Sequence, residues 1–241
     1  MMAKELTIDV WSDIACPWCY VGKRRLEAAL ERFAFRDQVR ITWHSFELDP
    51  SAPAVRDPSQ SYVQRLAAKY GTGAAQAQGM IDRMVQTAAV DGVTMDFTNI
   101  KSGNTFHAHR LLHLAKARGL QHQLAERFMH GYLSEGIAIG EPEQLLRMAV
   151  DVGLDADEVS GVLSGDLYER EVRQDQRDAR ELGISGVPFF LLGRRYAVSG
   201  AQPADLLLEA LTKTYEELPE PIVTLGADTA DGAVCGPDGC T

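Results

Sequence analysis

Four cysteines stand in two pairs, Cys16-Pro17-Trp18-Cys19 near the start and Cys235-Gly236-Pro237-Asp238-Gly239-Cys240 at the end, with about 215 residues between them. Thiols at such spacings either hold a metal or exchange electrons. A structural zinc site needs four thiolates converging tetrahedrally, and C-x2-C knuckles present them from turns. Pro17-Trp18 opens a helical pattern instead, so redox chemistry is the favoured reading and no metal is expected. A disulfide framework would spread its cysteines along the chain.

Position sharpens the redox reading. Leu6-Thr7-Ile8-Asp9-Val10 alternates apolar and polar residues, the pattern of a strand. Beyond Cys16, Leu26, Leu30, Phe33 and Ala34 fall at helical spacing, and Pro17 sits in the first turn, where a missing N–H costs nothing. Cys16 is therefore expected at the amino end of a helix, with Cys19 one turn inside. Free amides and the positive end of the helix dipole favour an ionised sulfur at Cys16, which makes it the nucleophile. Cys19 is the resolving thiol. Asp13 is expected to accept the Cys19 proton or tune the dithiol, or else to cap the helix or face solvent. Trp11, Trp18 and Tyr20 are read as an apolar rim for a peptide or as packing residues.

The positioning elements follow. Val39, Ile41 and Trp43 alternate with polar residues as a second strand, extended through Phe46 and Leu48 to Asp49-Pro50. That closes a β-α-β unit with the dithiol at the carboxyl end of its first strand, where α/β sheets place chemistry. From residue 51 to 182 the periodicity is helical. Tyr62, Leu66 and Tyr70 share one face, Ile81, Met84, Val85 and Ala88 another, and Pro142 and Asp155 open further helices. His109 and His113 stand four apart beside His107, but no hydrolytic Glu accompanies them, so packing or site-rim roles are expected rather than ligation. The charged run Asp166–Glu181 reads as a solvated helix face, with Glu169 and Arg173 at i, i+4 and Leu167, Val172, Ala179 and Leu182 on the buried side. Phe189–Leu192, a turn at Gly193-Arg194-Arg195, and Tyr196 with Val198 form a hairpin, and Pro203 starts a last helix. Pro188 is either an edge residue or a cis-proline.

Composition excludes several classes. Hydrophobic residues make up 45 % and charged residues 24 %, an ordinary globular balance, and the net charge of −10 argues against nucleic acid and anionic membranes as partners. No apolar run approaches the ~18 residues of a membrane span. The opening residues lack the features of a secretory signal, so the cytoplasm is expected.

Together, Cys-x-x-Cys after the first strand, a long helical stretch, and Gly186-Val187-Pro188 before a hairpin and helix resemble the DsbA family of thioredoxin-fold oxidoreductases. Ser12-Asp13-Ile14-Ala15-Cys16-Pro17-Trp18-Cys19-Tyr20, Phe46-Glu47-Leu48-Asp49-Pro50 and Asn104-Thr105-Phe106-His107-Ala108-His109-Arg110-Leu111 are similar to its FrnE-like branch, related to 2-hydroxychromene-2-carboxylate isomerases and kappa-class glutathione transferases. The resemblance covers residues 4–217. It implies an α/β thioredoxin fold in two parts, 1–50 and 183–217, split by a helical insertion over 51–182. It also implies a cis bond at Val187-Pro188 facing the dithiol, with the Val187 backbone and Trp18 binding a peptide as an added strand.

The activity implied is reversible thiol–disulfide exchange with protein or peptide thiols. No cofactor is needed beyond glutathione as a redox co-substrate. The alternative within the resemblance is a glutathione-dependent small-molecule isomerase or transferase, which needs no resolving Cys19. A third class is a chaperone that works without redox turnover. Pro17-Trp18 lacks the histidine inside the DsbA motif, so a less oxidising dithiol is expected. Residues 218–241 hold four Gly, three Pro, four acidic residues and no Lys or Arg, and read as a flexible arm. The 16 residues Pro219 to Val234 could span at most about 55 Å, enough to bring Cys235 and Cys240 to Cys16 and Cys19 as an electron shuttle.

Overall fold

The computed structural model describes residues 4–57 and 59–219, with the main chain of a short strand pair at 235–236 and 239–240. Strand β1 (Leu6–Ser12) is followed by helix α1 (Pro17–Arg32), a single 3-10 turn at Arg36–Gln38, and β2 (Val39–Ser45). Seven helices come next: α2 (Tyr62–Tyr70), α3 (Ala74–Val90), α4 (Phe106–Ala117), α5 (Gln121–Leu133), α6 (Pro142–Asp151), α7 (Ala156–Ser164) and α8 (Glu169–Glu181). The chain then returns to the sheet through β3 (Phe189–Leu192), β4 (Tyr196–Ser199) and α9 (Ala204–Glu216).

The sheet order is β2-β1-β3-β4, with β1 parallel to β2 and antiparallel to β3, and β3 antiparallel to β4. This is the mixed α/β arrangement of a thioredoxin fold. The hairpin turn needs left-handed backbone at both central positions, and Gly193 and Arg194 each take φ of 55°.

Two apolar cores meet along α1. One face of the sheet buries Leu6, Ile8, Val10, Phe190 and Leu192 against Leu26 of α1, Phe33 that caps its C-terminus, and Leu207 and Leu211 of α9. Each such side chain, fully buried, is worth ~1.5–3 kcal/mol. The second core is helical, built from α3 to α7, and it takes in Ile14, Cys16, Cys19, Tyr20 and Val21. Helix α1 thus carries its dithiol where the sheet domain and the helices share a boundary.

Several local expectations change. β1 runs on to Ser12, while β2 stops at Ser45. Phe46 donates its amide to Ser12 O, but Leu48 is exposed and its amide is captured by Asp13, which pulls the chain out of the sheet. In α8 the buried positions are Val172, Asp175 and Ala179, whereas Leu167 and Leu182 flank the helix and are exposed. Arg173 pairs with buried Glu47 of the β2–α2 loop rather than with Glu169.

Candidate active site

Helix α1 begins with Cys16 as its N-cap and Pro17 as its first helical residue, and no side chain caps it. The first amides are therefore not spent on a protein side chain, and an anion at Cys16 faces the positive end of the helix. Cys16 is nearly buried at 5 % exposure, less open than an attacking sulfur suggests, yet it lines a cavity of about 720 Å³. Its Sγ lies 3.7 Å from the Val187 carbonyl oxygen. The Val187–Pro188 bond is cis, and Gly200 N–H holds Pro188 O at 2.8 Å. Gly22 of α1 permits the approach, because a Cβ there would meet the Pro188 ring at 2.8 Å. Among the described residues no group accepts from the Val187 N–H, and Val187 is half-buried.

Cys19 is fully buried behind Cys16. Burial pushes its thiol well up, and the Cys16 sulfur beside it pushes the same way. The Ser12 hydroxyl and the Asp13 main-chain N–H oppose that rise. The buried Ser12 hydroxyl has no hydrogen-bond partner while Cys19 is a thiol, and it is placed to donate when the sulfur ionises.

Asp13 does not face solvent. Its carboxylate accepts from the Ala15 amide at 3.2 Å and the Leu48 amide at 2.8 Å. It thus ties the loop before α1 to the loop after β2. His109 Nε2 lies 3.4 Å from Asp13 Oδ1, an ion-pair distance rather than a hydrogen bond, and both ring nitrogens of His109 are buried without hydrogen-bond partners.

Of the three aromatic residues read as a rim, only Trp18 is exposed, at 45 %, and it lines the Cys16 cavity. Trp11 is buried, stacks on His44 and donates to Asp175 O. Tyr20 is buried and donates to Glu126. Among the described residues no group of three or more His, Cys, Asp or Glu side chains is arranged to hold a metal ion. Cys235–Gly236 and Gly239–Cys240 pair as antiparallel strands β5 and β6, with residues 235 and 240 opposite each other. The side chains of Cys235 and Cys240 lie outside the described residues, and so does the expected shuttle.

Sequence reasoning missed the cavity wall. Arg56, Arg65 and Lys69 line the space in front of Cys16, with Tyr62, Leu66 and Tyr70 of α2. The 50–56 strap that carries Arg56 lies against the main chain at 102–104. Asn104 N–H donates to Pro53 O at 2.9 Å and Arg56 N–H to Ser102 O at 3.0 Å. Glycine is required beneath it, since a Cβ on Gly103 or Gly140 would stand 2.1 or 1.5 Å from Ala54 O.

A buried network also escaped notice. Asp175 bonds His44 Nδ1 at 2.8 Å, His113 Nε2 at 3.0 Å and the Ser45 amide at 2.8 Å, while His44 Nε2 reaches Asp9 at 2.9 Å. Burial disfavours charge on His44, but its bonds to Asp175 and Asp9 outweigh that and raise it to about 9. Burial likewise opposes the Asp175 carboxylate, yet His113 and His44 hold it well below the usual range.

A family model described as a DSBA-like thioredoxin domain matches residues 7–212. The chain belongs to the DsbA-like thioredoxin-domain family. The chain is 43 % identical to a probable DsbA oxidoreductase from Streptomyces coelicolor, with a TM-score of 0.86 over 98 % of this chain and 99 % of that one. Two further structures share the fold at lower identity. A cytosolic disulfide reductase, DsbM from Pseudomonas aeruginosa, solved with glutathione, is 20 % identical at a TM-score of 0.58, covering 86 % of this chain and 98 % of that one. A 2-hydroxychromene-2-carboxylate isomerase is 16 % identical at 0.62, covering 86 % and 95 %. No helix among the described residues is long and apolar enough to cross a membrane.

Proposed function

We propose that this DsbA-like protein exchanges dithiols and disulfides in polypeptide substrates through Cys16 and Cys19. The observation that carries this reading is the pairing of a cavity-lining sulfur at an uncapped helix start with a buried second thiol beside it. In the reducing direction, Cys16 Sγ attacks a substrate disulfide. A Cys16–substrate disulfide forms and the other substrate sulfur leaves as a thiolate. Cys19 then gives up its proton and attacks the Cys16 sulfur, which releases the second substrate thiolate. The Cys16–Cys19 disulfide remains, two electrons having passed to the substrate; oxidation of a substrate dithiol is the reverse. Val187 offers its main chain as the edge to which an extended substrate pairs, and Trp18 stands beside it. Asp13 acts by holding the loop that carries Cys16.

The Cys235/Cys240 pair would relay electrons to or from Cys16–Cys19, and reaction in the cytoplasm would favour reduction. The basic lining of the cavity favours glutathione, an acidic thiol, as the redox co-substrate, and the same lining supports the glutathione-dependent isomerase reading. Cys19 separates the two, because isomerisation has no use for it.

Trapping with Cys19→Ala in cells tests the proposal. Protein adducts on Cys16 are expected, and adducts of glutathione alone would transfer the assignment to the isomerase reading. Removing residues 231–241 should slow turnover with protein disulfides if the terminal pair shuttles electrons, and unchanged turnover would end that part.

A further inference from the structure

Beyond the Cys16 cavity lies a second one of about 430 Å³, and Pro17, Trp18, Tyr62, Leu66 and Tyr70 form the wall between them. Its far side is made by Met80, Ile81, Met84 and Phe97, so it is lined by aromatic and thioether groups. Methionines and aromatic rings make adaptable walls that accept apolar side chains of differing shape. Its size falls in the lower part of the ~300–1,000 Å³ range of ligand pockets. Trp18 and Tyr70 are 45 % and 57 % exposed, so the shared wall is itself an open apolar edge.

Charge around the two openings has a definite sign. Asp49 is matched by Arg56. Arg65 donates to the Gln60 carbonyl and the Ser102 hydroxyl, and Lys69 lies over the Tyr70 ring. Arg65, Lys69 and Arg83 have no carboxylate partner among the described residues. In a chain with 34 acidic and 24 basic residues, three unmatched cations about the two adjoining openings, Arg65 and Lys69 at the Cys16 cavity and Arg83 at its neighbour, are a local reversal that attracts acidic segments.

We propose that the second cavity is a specificity pocket for a large apolar side chain, aromatic or long aliphatic, on a polypeptide whose cysteine reacts at Cys16, and that Arg65 and Lys69 receive an acidic residue of the same segment. The proposal rests on the exchange reading above and names its substrate class. A peptide laid along the Val187 edge with its sulfur at Cys16 has Trp18 as its neighbour, and the pocket opens on the other side of Trp18. Binding there stabilises the mixed disulfide without taking part in the sulfur chemistry.

The test uses the full chain carrying Cys19→Ala, Cys235→Ser and Cys240→Ser, so that Cys16 alone forms mixed disulfides. It is equilibrated with a mixture of reduced glutathione and glutathione disulfide, the disulfide supplying the oxidising equivalents, and a panel of single-cysteine peptides, and mass spectrometry reads the fraction of each adduct. Peptides with Phe and Glu flanking Cys should be favoured over their Ala counterparts by at least about tenfold, the effect of burying roughly two methylene groups. Thr87→Trp, which fills the pocket, should remove the preference for Phe, and Lys69→Glu should reverse that for Glu. Equal constants for all peptides would overturn the pocket and leave the exchange reading standing. Adducts with glutathione but with no peptide would overturn the exchange reading itself. A preference confined to a peptide of residues 230–241 that keeps one of its two cysteines, the other replaced by Ser, would assign the pocket to the chain's own end and overturn the proposal.

Discussion

Replacing His44 with Gln should make the stability of this fold respond differently to alkali. His44 bridges Asp9 of β1 and Asp175 of α8, and it is only 16 % exposed at the side chain. Its proton is held up to about 9 against an ordinary 6.5. At about 1.4 kcal/mol per tenfold change in proton affinity, that rise is worth roughly 3 kcal/mol. Because the folded state binds the proton more tightly, this stabilisation is complete below 6.5 and disappears as pH climbs through about 9. Urea unfolding of both chains at about pH 6 and about pH 10 measures it. The wild type should exceed His44→Gln by about 3 kcal/mol at the lower pH, an offset of roughly 1 M in midpoint for a urea slope near 3 kcal/mol/M, and the gap should close at the higher pH. Cys19 and the other titrating groups that do not touch His44 are common to both chains and cancel in the difference. A gap that stays constant with pH would refute the charged bridge and leave His44 as a packing residue. On the acid side Asp175 acts in the opposite sense: its contribution is present above 3.8 and is lost as pH falls below it.

Gly140→Ala should displace the 50–56 strap, because its new Cβ would fall 1.5 Å from Ala54 O; the expected cost is ~1–3 kcal/mol in unfolding free energy, with weaker reaction of peptide disulfides. The closing step by Cys19 should accelerate with pH, about tenfold per pH unit and without a plateau below the ordinary thiol range, since burial holds its thiol up. Stopped-flow release from a preformed Cys16 mixed disulfide would show this, and a flat profile would contradict it. Equilibration with glutathione buffers should give a potential more reducing than the roughly −120 mV of DsbA, and a value at or above that would refute the inference from Pro17-Trp18.

The parts of the fold set by short-range pattern were legible in the residues. Alternation marked β1, Pro17 marked the start of α1, and Gly193-Arg194-Arg195 marked the hairpin turn, because each depends on local sterics or a local period. Long-range partners were not. Asp175 lies in a run of charges that looks fully solvated, and only the arrival of His44, His113 and the Ser45 amide makes its burial tolerable. Leu48 follows the strand alternation, but Asp13 takes its amide, and Asp13 is drawn there by a loop far away in sequence. The cavity wall was hidden for the same reason, since Arg56 reaches the space before Cys16 on a strap packed over Gly103 and Gly140, and Arg65 and Lys69 reach it from α2, all far from Cys16 in sequence. Legible chemistry was confined to the dithiol, where residue type and helix position lie within one turn.

The most direct test is the order in which the two thiols of the first pair react in the folded, reduced protein. Brief alkylation with iodoacetamide followed by peptide mapping should label Cys16, which opens on the cavity, on the order of tenfold or more ahead of fully buried Cys19. Labelling of Cys19 first, or of neither until urea unfolds the chain, would contradict the assignment of Cys16 as the attacking sulfur.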